Sequence, residues 1–484
     1  MHSLRQADAW VLGSYRRMDA LNVPAFHDYA YAAAQTPLRA VARRSLRRLD
    51  TRWPTQCQSF AAFIRGERVS ELHVDDGLCL VLRYLASPLR YEPLNAYLVH
   101  RAVASTRSLF PMQFLIATAA GLYIYHAEHH ALEARAPAAP LPALPDGCDW
   151  ALIGVGRYWA LAGKYAEFSP YLVTLEAGML QAQLGHLVRL AGWHGQTLNL
   201  EGPAWRDALN LGPLETAMVG WSGSGGLPVF APDAPTHVAE WAPNPALCDL
   251  YPQLIPLVRL FDPLDCGPDV DANPSAACRS EPQVIGNPGS RDVLDVFRAR
   301  SSGNDAGGFS PVVQSTDAAF LRCLIGQSRA LGRLREALPG EAQLKLSVAW
   351  ISPYDANPGL YDEDLHPLCG QDDARGFLRT LEASLPHELF RYNTSALAFV
   401  FVIAVDLPEA AQSHGEHALR RLHLAAGALA QDISIVLSAH GMFARPVRML
   451  DETALTTAWH MRSHIVYQVL AGFNRSSNWF MDLL

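Results

Sequence analysis

Lysine is nearly missing from this chain. Of 39 basic residues in 484, only Lys164 and Lys345 are lysine, and arginine carries the rest. Positive charge is not in excess either. The formal charge is −8 at pH 7, which argues against a nucleic-acid-binding surface spread over the molecule. The eight cysteines include no Cys-x-x-Cys pair and no Cys/His cluster at zinc spacing. No structural metal is therefore expected, and the thiols read as reduced residues of a cytoplasmic protein. No apolar run reads as long enough to span a bilayer, and Met1-His2-Ser3-Leu4-Arg5 does not open a secretory signal.

What remains points to an enzyme. An ammonium retained beside a phenol, in Gly163-Lys164-Tyr165-Ala166-Glu167, is chemically distinct from the arginines around it. Only the lysine amine can lose its proton near neutrality when partly buried. Lys164 and Tyr165 together supply a base or acid and a hydrogen-bonding phenol at one point.

The length suggests at least two domains, and an internal repeat supports that. Gly121-Leu122-Tyr123 recurs as Gly359-Leu360-Tyr361, each copy after a strand-like stretch, Met112 to Thr118 and Leu346 to Ile351. A gapless register then runs from Lys164 against Ser413 to Gly192 against Gly441, each copy reading as a long apolar helix that closes at glycine. The expected architecture is α+β. It comprises an N-terminal extension (1–54), a first unit (55–225), a Pro/Gly-rich connection (226–287) and a second, diverged unit (288–484). Two copies in one chain imply an intramolecular pseudo-dimer. Tyr165 is answered by His414 and Glu176 by Ala425, so the second copy has lost the candidate groups.

The segments Arg101 to Pro111, Gly121 to Tyr125, and Lys164-Tyr165 followed by Leu175-Glu176-Ala177-Gly178 resemble the SagB/McbC-type dehydrogenases of the nitroreductase superfamily. Ala25-Phe26-His27-Asp28-Tyr29, near the N-terminus, is similar to the run that opens many of these proteins, and the second half resembles that of tandem members. The resemblance implies a nitroreductase-like fold with FMN between two α+β units. It also implies two-electron oxidation of peptide thiazolines or oxazolines to azoles, the reduced flavin being reoxidised by dioxygen. Lys164 and Tyr165 match the catalytic pair residue for residue. An Arg-Ser-x-Arg element that grips the flavin phosphate has its counterparts in Arg65-Gly66-Glu67-Arg68 and Arg300-Ser301-Ser302-Gly303-Asn304, with Gly66 and Asn304 as departures. Ser105, Thr106 and Arg107 fall where the family sets a polar loop against the flavin ring, Thr106 replacing a glycine. Glu176 and Gly178 complete the implied cofactor site. A modified precursor peptide is the implied substrate, with a cyclodehydratase or other biosynthetic enzymes as partners and further homo-oligomerisation open. Flavin-dependent oxidation of another peptide- or carrier-bound substrate is one alternative, and a flavin-free scaffold subunit is another. An NAD(P)H-driven nitroreductase is weaker, because the Lys-Tyr pair would then have no task.

Other features read as structural. Arg39, Arg43, Arg44, Arg47 and Arg48 recur at helical spacing and are expected on a solvated helix face, with contact to an acidic leader peptide as the rival reading. Tyr125 to His130 reads as a hairpin turn, and Gly220 to Gly226 lacks the context of a phosphate loop. His414, His417 and His423 are expected at the surface, with remnants of a second active site as the rival reading.

Overall fold

The computed structural model describes residues 46–49, 57–67, 74–93, 95, 97–119, 121–135, 137–225, 254–261, 291–305, 308–309, 311–368, 374–385, 393–475 and 481–482. The Ala25–Tyr29 run, Arg68, Arg39, Arg43, Arg44 and most of the 226–287 connection lie outside them. Seven strands form a first sheet: β1 (Leu46–Arg48), β2 (Met112–Thr118), β3 (Gly121–His126), β4 (Ala131–Arg135), β5 (Trp150–Arg157), β6 (Gly195–Thr197) and β7 (Glu215–Gly223). Their order is β1-β4-β3-β2-β5-β7-β6, antiparallel throughout. Arg47 and Arg48, expected on a helix, lie instead in edge strand β1, paired with β4.

A second sheet holds β8 (Pro311–Val312), β9 (Leu344–Trp350), β10 (Gly359–Asp362), β11 (Phe399–Val405), β12 (Phe443–Val447) and β13 (His464–Asn474). Its order is β8-β13-β11-β9-β10, with β12 also paired to β13. Strand β11 is apolar at every position and wholly buried, as a strand covered on both faces must be.

Helices fill the space between the sheets: α1 (Val74–Ala86), α2 (Ser169–Leu190), α3 (Ala318–Gly332) and α4 (Ala418–Ala439). Helix α2 is buried almost all round, consistent with apolar residues on every face rather than one stripe. The two long helices stand at a constant offset of 249 residues (Ser169 to Ala418, Leu190 to Ala439). The same offset relates the register shifts at Gly154/Val155 and Ile403/Ala404, and the left-handed glycines that follow the helices, Gly192 (φ +68°) and Gly441 (φ +72°).

Contact between α2 and α4 is reciprocal. A Cβ on Gly178 would lie 2.0 Å from the Leu424 carbonyl oxygen, and one on Gly427 would lie 2.1 Å from that of Leu175. No real side chain tolerates that distance, so both glycines set the closest approach of the helices. A buried ionic chain crosses the same seam. His186 Nε2 lies 2.8 Å from Asp432 Oδ1, and Arg335 bridges Asp432 Oδ2 (2.8 Å) and Glu341 Oε1 (2.5 Å). Burial pushes the Asp432 carboxyl up, but Arg335 and His186 outweigh it and hold the group low.

Among the described residues one helical stretch, Leu407–Ala439, is long and apolar enough to cross a bilayer, contrary to the sequence expectation. In this fold 89% of its most apolar stretch is buried, so a packed core helix accounts for it. The Met481–Asp482 strand returns to pair with Arg90–Tyr91, which pairs in turn with Val99–His100.

Candidate active site

The loop between the Val99–His100 strand and β2 has the least relaxed backbone of the described residues. Arg107, Ser108 and Phe110 all adopt left-handed conformations (φ +49°, +54° and +46°), which side-chain-bearing residues avoid. Several contacts hold it there. Phe110 N donates to Ser105 Oγ (2.9 Å). Arg157 donates to the carbonyls of Pro111 and Phe110, both at 3.1 Å, and the Arg101 guanidinium sits 3.7 Å over the Phe110 ring. Thr106, the substitution flagged by the sequence, is not among the left-handed positions.

Glu176 lies beneath this loop. Helix α2 presents its carboxylate to Ser105 Oγ (2.8 Å) and the Thr106 N–H (3.3 Å), with the side chain buried. Burial pushes the carboxyl up to about 7, against the lowering pull of Ser105, Thr106, Arg101 and Arg157. From the second sheet, Tyr467 on β13 faces the same carboxylate, and burial followed by the Glu176 charge raises its phenol. The site is therefore a seam between the two halves. A buried acid poised near neutrality marks a place where protons can be exchanged.

The Lys-Tyr pair closes the short helix Trp159–Tyr165. Tyr165 Oη accepts a hydrogen bond from Arg107 Nε (3.2 Å), which brings the phenol to the strained loop, and Lys164 is half-buried in the last turn. The turn that follows, through Ala166 (φ +41°), is reproduced 249 residues on at Gly415 (φ +53°). There His414 takes the place of Tyr165 and bonds Gln343 Oε1 (3.1 Å). His414 and His423 are buried rather than exposed as expected. Burial, then Arg448, lowers His423 to about 3, so it is a neutral core residue packed on Tyr171 and Phe261.

The phosphate-gripping candidates separate. Arg300 is buried and reaches the first half, donating to the Arg101 carbonyl (3.2 Å) and to Ser302 Oγ (3.1 Å). Arg90 clamps it from the other side, with Nη2 on the Arg300 carbonyl (3.0 Å) and Nη1 on that of Arg298. Glu92 in turn holds Arg90 (2.7 Å). Burial opposes ionisation of Glu92, but His100, Arg90 and Asn95 hold its carboxyl down to about 2. Arg90, Glu92, Arg101 and Arg157 were not singled out from sequence. The Arg90-x-Glu92 spacing, which puts two side chains on one side of an extended chain, was the available signal. Arg65 instead pairs with Glu67 at the surface (2.7 Å). Gly178 lies in the helix crossing described above and packs on backbone.

Buried cations outnumber acids around Arg300. The Nε atoms of Arg300 and Arg101 have no hydrogen-bond partner among the described residues, and burial, then Arg90, lowers the Arg300 guanidinium to about 9. That donor set suits an anion such as a phosphate. The space does not suit a flavin ring. The cavity at Arg101, Phe110 and Glu176 measures about 10 Å³, room for one water. A larger cavity of about 250 Å³ opens on the other side of α2, beside Arg189, Trp193, Trp221 and Glu336. Room and proton-handling groups thus lie in different places.

No family model matches the sequence, and no curated protein matches it. Solved structures are more informative. A putative nitroreductase from Anabaena variabilis matches with a TM-score of 0.62 at 13% identity, covering 95% of this chain and 99% of its own. A putative nitroreductase from Ralstonia eutropha covers 38% of this chain and 90% of its own, at 16% identity and TM-score 0.32. The E. coli microcin synthetase McbBCD complex, with truncated pro-MccB17 bound, covers 31% of this chain and 63% of that chain, at 14% identity and TM-score 0.25. Identities this low speak to architecture alone, and on that evidence the chain has a nitroreductase-like fold of mixed helix and sheet.

Proposed function

We propose that the chain is a flavin-dependent oxidoreductase of SagB/McbC type, built as an intramolecular pseudo-dimer. In this reading it oxidises peptide thiazolines or oxazolines to azoles in the cytoplasm, beside a cyclodehydratase. The observation that carries it is the convergence of Tyr165 and Glu176 on the strained Ser105–Phe110 loop, through the bonds from Arg107, Ser105 and Thr106. The constant 249-residue offset and the reciprocal Gly178 and Gly427 contacts support the pseudo-dimer, with units 55–225 and 288–484.

FMN, when bound, supplies a two-electron acceptor. Arg300, Ser302 and Arg101 fit its phosphate by charge and by unfilled donors. The space enclosed beside them, about 10 Å³, would not admit the ring in this arrangement of the Ser105–Phe110 loop. Aromatising an azoline removes a proton from the former α-carbon and a hydride from the adjacent carbon. The chain's part is the proton. Lys164 or Tyr165 accepts it, Arg107 orients the phenol, and Glu176 holds a proton near neutrality. Lys164 and Tyr165 have Ser413 and His414 as counterparts, so the chemistry belongs to the first unit.

The small cavity favours a second reading, a flavin-free scaffold subunit of a peptide-modifying complex. One experiment separates the two. The purified protein is examined for flavin absorbance, and acid-released flavin is quantified before and after reconstitution. Yellow protein that removes two hydrogens from an azoline peptide supports the dehydrogenase. Colourless protein that cannot be reconstituted leaves the scaffold.

A further inference from the structure

The cavity of about 250 Å³ takes no part in the chemistry proposed above, yet it is built like a binding site. Its wall is aromatic: Trp193 and Trp221 stack at 5.9 Å with their planes 27° apart, and Trp150 packs edge-on against Trp193 at 5.0 Å. Gly195 keeps that wall flush with the backbone, because a Cβ there would come within 2.4 Å of the Trp221 ring. The floor is α2, where Gly185 lets Arg335 pack close, a Cβ there lying 2.8 Å from that of Arg335.

Its polar equipment is sparse and partly uncommitted. Arg189 lines the cavity and carries a buried Nε with no partner among the described residues, while its Nη2 is fixed on the Gly66 carbonyl (2.8 Å). At the exposed rim, Glu336 spends one carboxylate oxygen on the Thr197 N–H (2.7 Å), which leaves the other for a ligand N–H. Arg335 adds no free charge, since Asp432 and Glu341 neutralise it.

We propose that this cavity binds a small planar heteroaromatic amide: a ring to pack against Trp193, an acceptor for the Arg189 guanidinium and an N–H for Glu336. The volume falls below the roughly 300 Å³ at which pockets for drug-sized ligands begin, so an azole ring with its flanking peptide groups suits it and a whole flavin nucleotide does not. The choice of azole rests on the function proposed above; the aromatic wall and the uncommitted donor do not. The cavity would then hold an already oxidised ring of the peptide while another is processed at the Glu176 seam.

The test is titration of the full-length protein with a methylthiazole carboxamide, followed by calorimetry and tryptophan fluorescence, with FMN in a second arm and acetamide as the control. One saturable site with fluorescence quenching is expected, absent with acetamide. Arg189→Met should weaken binding about tenfold, the scale of one hydrogen bond to a charged group. Glu336→Gln keeps an acceptor for Thr197 and should weaken it less, which guards against an Arg189 variant that fails to fold. Absence of binding, unchanged affinity in both variants, or displacement of the probe by FMN overturns the proposal. Probe binding by a protein that oxidises no azoline keeps the cavity and sinks the dehydrogenase reading. Oxidation without probe binding does the reverse.

Discussion

Replacing Glu176 by glutamine isolates the buried acid on which the site is built. The carboxyl sits at about 7 in the fold against 4.5 for the free side chain. Because the folded value is the higher one, the native protein binds the proton more tightly than the unfolded chain. The stability tied to this group is therefore complete below about pH 4.5 and is lost as pH rises through about 7. A shift of this size corresponds to about 3 kcal/mol. Glutamine keeps the shape and an acceptor for Ser105 and Thr106 but cannot ionise, so the loss should vanish. The variant should match wild type near pH 5 and exceed it by up to about 3 kcal/mol at pH 8. For a chain of this length that is about 3 °C in Tm if it unfolds as one unit. Differential scanning calorimetry of both proteins from pH 5 to 8 reads it directly. Other groups titrate alike in both, so only the difference counts. A difference that stays flat over that range refutes the placement of Glu176 as a buried acid that titrates near neutrality beneath the loop.

Lys164→Ala should leave released flavin at the wild-type amount while azoline oxidation, followed by mass spectrometry, falls to background; turnover near the wild-type rate would remove Lys164 from the chemistry. Gly178→Ala should force α2 and α4 apart and cost at least the 1–3 kcal/mol typical of overpacking, roughly, visible as a lowered Tm. A wild-type Tm would show that the helices do not meet as described. Asp432→Ala leaves Arg335 and His186 buried without their shared anion and should destabilise by about 3–5 kcal/mol. Urea unfolding checks this, and a loss under about 1 kcal/mol would contradict the buried network.

Much of the framework was legible because it is written in local pattern. The strand Met112–Thr118 and the glycines after both long helices appear where apolar runs and a left-handed helix end require them. The Tyr125–His130 turn and the 249-residue register belong to the same class. The histidines of the second half were misread because their spacing resembles a solvated face. Only the packing of Tyr171, Phe261 and Arg448 shows His423 to be interior. Arg47 and Arg48 were misread for a related reason: spacing over a short run cannot anticipate an edge strand that exists only because β4 lies beside it.

By itself the sequence determined the mix of helix and strand, the 249-residue correspondence of the two long helices, and the lysine beside a phenol, with Ser413, His414 and Ala425 standing opposite Lys164, Tyr165 and Glu176. Tertiary structure decided which of these meet. Arg300, far along the chain, joins the loop that holds Glu176, while Arg65 stays apart with Glu67, and Gly178 serves the helix crossing. Proximity across a seam depends on how two helices cross, and that crossing is set by close backbone contacts between residues hundreds of positions apart, which no local pattern encodes.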